Sequence, residues 1–365
     1  MTDDLLYKIG LTLIPSIGSV NGKKLVSYCG GVEAVFKEKR SALMKIPGIG
    51  AFTVNNIVNH TVLKRAEEEI AFIEQNSIQP IFYTDKAYPQ RLLHCEDGPI
   101  MLYYNGNATL NHSRVLAVVG TRRSTPYGQV QCEKIIEGLK DKDVMIVSGL
   151  AYGIDSCAHK NALNNKLPTV GVLGHGLDRV YPYENRNLAN SMMENGGLLT
   201  EYLSGTKPDR ENFPKRNRIV AGMADATLVV ESGIKGGAII TANIAFSYSR
   251  DVFAIPGRVD DYFSKGCNFL IKTNKAALVQ SAKDITDIMG WEDVKKDINL
   301  QQELFVELTD DEQKLINILQ ESGENGIDEL MAKSKIPVSK VSSYLLNLEF
   351  QGLVISLPGK RYKLR

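Results

Sequence analysis

The residues best suited to chemistry in this 365-residue chain lie at 213–222, FPKRNRIVAG. Lys215, Arg216 and Arg218 crowd into four residues, behind Phe213 and Pro214 and ahead of an apolar helical pattern of Ile219, Val220 and Met223. Pro214 puts these cations around a helix N-terminus, where the backbone already carries partial positive charge and further cations are unfavourable. An anionic partner would offset that repulsion. Arg216 and Arg218 have the fork geometry for phosphate oxygens, Asn217 can hydrogen-bond a phosphate or a base edge, and Phe213 offers a ring for base stacking. Phosphate-binding cations interleaved with an aromatic ring are what a single strand of nucleic acid requires. The structural alternative is an ion pair inside the fold with Glu201 or Glu231, expected of one of the two arginines, not both.

Other loops carry related signals. In VVGTRRSTPYG, Gly120 turns the chain sharply out of an apolar run and Arg122 and Arg123 follow at once. In SGLAYGIDSCAH, Ser148, Gly149 and Gly153 make a flexible crossing and Asp155 is placed to cap the next helix. LGHGLDRVYPYEN is a third such loop. In ESGIKGGAIITA, Gly236 and Gly237 precede a helix and leave backbone N–H groups open to an anion. Glycine-bearing loops gathered at one sheet edge suit an anion or nucleotide surface, although close helix–strand packing accounts for some of the glycines.

Several chemistries are excluded. GHGLDR lacks the third glycine of a dinucleotide fingerprint, and neither GxxxxGK[ST], GxSxG nor HExxH occurs. No catalytic residue, cofactor or metal ligand set is indicated. The five histidines are isolated, and His159, four residues after Asp155, reads as a structural residue more readily than as half of a catalytic pair. The five cysteines are scattered with no CxxC, supporting neither a disulfide framework nor zinc.

These loops need a scaffold. VLAVVG (115–120), VMIVSG (144–149), TVGVLG (169–174), GLLTEY (197–202), ATLVVES (226–232) and DVFAIPG (251–257) are short apolar runs, as strands buried on both faces of a parallel sheet require. Helical segments separate them, so the fold class is α/β, a doubly wound and mainly parallel sheet. Residues 1–75 read as helical, with a repeat: LIPSIGSVNGKKLV and KIPGIGAFTVNNIV match Pro15 and Gly18 to Pro47 and Gly50. Each Pro-x-Ile-Gly turn resembles a helix-hairpin-helix, or is a plain structural hairpin. Residues 76–290 hold the sheet and 291–308 read as a polar linker. In 309–365, Thr309 and Glu312 form a capping box, and three helices with a terminal hairpin about a Pro-Gly turn suggest a winged helix. Its third helix carries only Lys340 as a cation, which favours protein contact or a structural role over entry into a DNA groove.

Composition sets the remaining limits. With 43 basic and 42 acidic side chains the formal net charge is +1, so an anion site must come from position rather than bulk charge. The acidic MTDDLLYKIG start is unlike a signal peptide, and no apolar run is long enough to span a bilayer; the reading is a cytoplasmic protein with reduced thiols.

The ordered set AVVGTRRSTPYG, IVSGLAYGIDSCAHKNAL, VGVLGHGLDRVYPYENRNL, LLTEY, FPKRNRIVAG, LVVES…KGGAIITA and VFAIPGR closely resembles the DNA-processing protein A (DprA/Smf) family. The resemblance implies an extended Rossmann-like domain that binds single-stranded DNA without sequence preference. It also implies a homodimer that protects incoming strands and loads the recombinase RecA in natural transformation, with no established catalytic activity. Arg122, Phe213, Arg216, Asn217 and Arg218 match the family's DNA-facing motifs; Lys235 and Arg250 match less closely. Tyr152 stands where the family usually has arginine, and Gly236, Gly237 and Ala238 stand in place of Ser-Gly-Ser. A nucleotide phosphoribohydrolase-like enzyme of related fold is the rival, but KGGAIITAN carries no glutamate at the catalytic place of that group's loop.

Overall fold

The computed structural model describes residues 2–291, 308–357 and 361–364. The chain forms two compact units, Met1–Glu292 and Asp293–Arg365. All but the two end residues of the expected linker 291–308, and the expected Pro-Gly turn at 358–359, fall outside the described residues.

The first unit is built on a nine-stranded sheet in the order β1-β2-β6-β5-β4-β3-β7-β8-β9. The strands are β1 (Gln79–Phe82), β2 (Met101–Gly106), β3 (Arg114–Val119), β4 (Val144–Ser148), β5 (Thr169–Val172), β6 (Gly196–Thr200), β7 (Ala226–Val229), β8 (Asp251–Ala254) and β9 (Ala277–Leu278). All neighbouring pairs from β6 across to β9 are parallel, whereas β1–β2 and β2–β6 are antiparallel. Every expected run contains a strand, and each strand stops short of its glycine or loop end. Successive side chains of β3 feed opposite cores: Val115, Ala117 and Val119 pack beneath the Asn212–Met223 and Gly237–Ser247 helices, while Leu116 and Val118 pack beneath Pro126–Glu137 and Ile154–Asn164. That two-sided burial is why the runs read as continuously apolar.

Chain order runs outward from β3 to β6 in one direction and returns at β7 to run the other way. The strand order therefore reverses between β3 and β7, and the loops leaving these neighbours diverge to opposite faces. A crevice opens where they part.

The N-terminal helices share a third core with the β1–β2 hairpin, including Ile9, Leu25, Val54, Phe82 and Tyr103. The sequence repeat is a structural one. Ser16 (φ 67°) and Gly48 (φ 79°) occupy equivalent left-handed positions, which glycine enters freely and which the serine adopts too. Each turn is clasped from the other half. Lys24 Nζ donates to the Pro47 carbonyl at 3.0 Å, and Asn56, its equivalent in the repeat, donates to the Pro15 carbonyl at 3.1 Å.

In the second unit, helices Asp310–Ser322, Ile327–Ser334 and Val338–Phe350 pack around Leu315, Leu330 and Leu345. A three-stranded sheet of β10 (Glu324–Gly326), β12 (Arg361–Leu364) and β11 (Val354–Leu357) flanks them, completing a winged helix. The Thr309–Glu312 capping box is formed.

Candidate nucleic-acid interface

The crevice between β3 and β7 is a cleft of about 580 Å³. Its lining brings together the loops after β3, β4 and β7 and the start of the Asn212–Met223 helix, including Arg122, Arg210, Phe213, Arg216, Asn217 and Lys235. Thus four cations from three separate segments face one space whose only lining carboxylate, among the described residues, is Asp155.

Arg122 is exposed on a loop pinned on one side beyond the end of β7 and on the other to the start of the Ile154–Asn164 helix. Thr121 N–H donates to the Glu231 carbonyl at 2.7 Å, and Ile154 N–H donates to the Thr121 carbonyl at 3.2 Å. The buried Glu231 carboxylate accepts from Thr125 N–H at 2.9 Å and from the Thr125 hydroxyl at 2.5 Å. The Arg122 guanidinium lies 5.1 Å from the Phe213 ring centroid, and Tyr181 lies 6.0 Å beyond that ring. Cation and ring are thus presented side by side, as alternating phosphate and base contacts need. A smaller recess of about 80 Å³ continues from here beneath Tyr152, His175 and Tyr181.

Arg216 differs from the expected surface fork. Its residue is 6% exposed, its Nη1 donates to the Val172 carbonyl, and Asp155 attracts it from the first turn of the Ile154–Asn164 helix. Burial pushes the guanidinium's pKa down and the Asp155 carboxyl's up, and the attraction between the two opposes both shifts. Gly149 makes this possible, because a Cβ there would lie 2.5 Å from Arg216 Nη2. Arg218 forms an ion pair with Glu201 and does not line the cleft. The ion pair expected of one arginine is thus the one between Arg218 and Glu201, whereas Arg216, expected to fork to phosphate oxygens, is instead sealed into the cleft floor. The helix begins at Asn212, so the cations lie a turn inside it, where the side-chain direction of Arg218 leads to β6 rather than to the cleft.

Other expected site residues divide by place. Lys235 is exposed on the cleft rim and Gly237 has open space about it, as an anion loop requires. Ser148 is fully buried and donates to the Val118 carbonyl at 2.6 Å, so its hydroxyl is not offered to an anion. Gly120 and Gly236 allow close packing, against Ile154 and the Ser232 hydroxyl. Arg250 is on the wrong edge of the sheet. It precedes β8, whereas the cleft lies beyond strand ends, and its Nη2 donates to the Arg91 carbonyl at 3.0 Å. Asp155 does not cap its helix; Gly153 is the N-cap and Asp155 sits in the first turn. His159 is structural: it is fully buried, its Nδ1 lies 2.7 Å from the Thr169 hydroxyl, and burial pushes its pKa down to about 3.

Arg210 and Tyr262 line the cleft and were not singled out from sequence. Arg210 had a signal, a further cation three residues before Phe213. Tyr262, packed edge-on to Phe263 at 5.1 Å, had only an aromatic pair in a polar loop.

Comparison with known proteins agrees with this architecture. The family described as DNA recombination-mediator protein A matches residues 79–290, and the DprA winged helix domain matches residues 305–360. The chain is 32% identical to Protein Smf of Synechocystis sp. over 98% of each chain. It is 42% identical to DNA processing protein DprA of Streptococcus pneumoniae, over 55% of this chain and 71% of that one. The X-ray structure of DNA processing protein A from S. pneumoniae superposes with a TM-score of 0.66 and 33% identity, covering 77% of this chain and 97% of that one. The DNA processing protein A of Helicobacter pylori, whose structure describes a single-stranded DNA binding mode, superposes with a TM-score of 0.53 and 27% identity, over 58% of this chain and 95% of that one. With matched segments in both units and a relative aligned along nearly its whole length, this chain belongs to the DNA recombination-mediator protein A family.

Proposed function

We propose that this chain binds single-stranded DNA, without sequence preference, in the cleft between β3 and β7. It thereby shields the strand and presents it to RecA in natural transformation, as a cytoplasmic homodimer. The observation that carries the DNA reading is the convergence of Arg122, Arg210, Arg216 and Lys235 around the Phe213 ring. Backbone phosphates supply the charge such a cleft lacks, and an exposed ring stacks on any base, which makes the binding indifferent to sequence. The Helicobacter relative's binding mode supports the choice of single strands. Family membership is what supports the reading of RecA, the dimer and the role in transformation. The family's character as DNA-binding and DNA-processing proteins supports a role in binding rather than catalysis.

The test is fluorescence anisotropy with labelled oligo-dT and a matched duplex at two salt concentrations. The wild type should bind the single strand more tightly and lose affinity with salt. Arg122→Ala and Lys235→Ala should each lower the salt slope by about 0.7 on single strands. Equal affinity for duplex, or unchanged slopes in both variants, would overturn the assignment.

A further inference from the structure

Arg122 lines three spaces at once: the cleft, the small recess, and an open groove of about 760 Å³ between the Pro126–Glu137 and Ile154–Asn164 helices. That groove lies on the opposite face of the sheet. Its other charged lining residues are Arg123 and Lys160, both exposed, and among the described residues no carboxylate lines it. Among those residues neither cation has an ion-pair partner, whereas Arg91 and Arg179 elsewhere on this unit sit on Asp225 and Asp178. Glu133 stands near Cys157 but outside the lining. Unneutralised cations gathered without an acid mark a surface prepared for an anion.

The crossing between cleft and groove is firm. Gly153 (φ 77°) approaches the Arg122 loop so closely that a Cβ would lie 2.2 Å from the Thr121 carbonyl oxygen. Tyr152 stands at the crossing, 43% exposed, and lines both the recess and the groove. A tyrosine there replaces a phosphate contact with a ring on which a base can stack.

We propose that the single strand does not end in the cleft but crosses the sheet edge at Arg122 and Tyr152. It continues along the groove between the two helices, its phosphates held by Arg123 and Lys160. This extension rests on the cleft reading above. Continuity at Arg122 favours a nucleic-acid strand over an acidic peptide, which would ask for the same cations but not for a ring at the crossing.

The experiment compares the full chain with its Arg123→Ala/Lys160→Ala variant on oligo-dT of about five and about twenty nucleotides, lengths that bracket usual site sizes. Removing both phosphate-binding cations should lower the salt slope by about 1.4 on the long strand alone. Between about 50 and 200 mM salt, the variant should then lose about sevenfold less affinity than the wild type. An unchanged long-strand slope, with Arg122→Ala still weakening both lengths, would overturn the groove and leave the cleft standing. If Arg122→Ala also binds normally, the cleft reading fails as well.

Cys157 supplies a second readout, because its half-buried thiol lines the groove while the half-buried Cys29 lies in the N-terminal helices. The long strand should slow alkylation of Cys157 by N-ethylmaleimide several-fold and leave Cys29 unchanged; the short strand should affect neither. Undiminished labelling of Cys157 under the long strand would overturn the proposal, as would equal protection by poly-glutamate.

Discussion

Arg216 is a cation held in place more than displayed. Its burial against Asp155, under a glycine that leaves just enough room, makes it part of the cleft floor and of the fold at the same time. Arg216→Ala should therefore weaken DNA binding and also destabilise the protein. Removing the guanidinium leaves the buried Val172 carbonyl without this donor, at a cost of about 1–3 kcal/mol, and takes the nearby positive charge from Asp155. Urea unfolding should show this loss, and adding Asp155→Asn should recover part of it. An Arg216→Ala protein of wild-type stability would mean that the floor readjusts without strain. His159 makes a second residue-level prediction. Its folded-state pKa is depressed to about 3, so between the ordinary value near 6.5 and that point only the unfolded chain takes up the proton. Stability should thus fall with decreasing pH across this window, by about 1.4 kcal/mol per unit from this group alone. Equilibrium unfolding of His159→Gln against pH should show a shallower acid limb than the wild type.

At the scale of elements, legibility followed burial. Strands β3 to β8 are sandwiched between helices and announce themselves as apolar runs, whereas β1 and β2 do not. β1 is QPIF at the sheet edge, where Pro80 is tolerated because an edge strand leaves one side unpaired. β2, MLYYNG, buries tyrosines in place of a β-branched run. Cap chemistry was legible where it is purely local, as at Thr309 and Glu312. It was not at Asp155, because a glycine one residue earlier than Ile154 takes the cap and frees the carboxylate for Arg216, a partner far along the chain. Thr309→Ala should remove the side-chain acceptor of the Glu312 N–H, costing about 0.5–2 kcal/mol. Hydrogen exchange should then quicken in the first turn of the Asp310–Ser322 helix, with no change in the sheet.

For the whole molecule, the cleft draws every lining residue from positions 119–263. A chain cut after Trp291 keeps that site and the cores beneath it intact. It should bind oligo-dT with the affinity and salt slope of the full chain in the anisotropy assay. A large loss would assign part of the binding to the winged helix. Which residues meet at the site was legible only in part. Arg122, Phe213 and Lys235 follow strand ends or begin the crossing helix, and strand direction carries them to one edge. Arg250 precedes its strand, so the same logic sends it to the other edge. Glu201 was one of two acids the sequence offered to an arginine, and only the fold selects Arg218 for it; the tie of Ser148 to Val118 joins segments that no local pattern relates.

The loop that carries Arg122 is fastened on one side to Glu231 and on the other to Ile154. Under the proposed binding, this loop would need neither to open for a strand to arrive nor to reopen for it to leave. Each phosphate can be released singly, from one end, while its neighbours stay in place. On the binding proposed above, a strand held in this way would be peeled off progressively by whatever takes it next, so that its whole length would never lie bare at once.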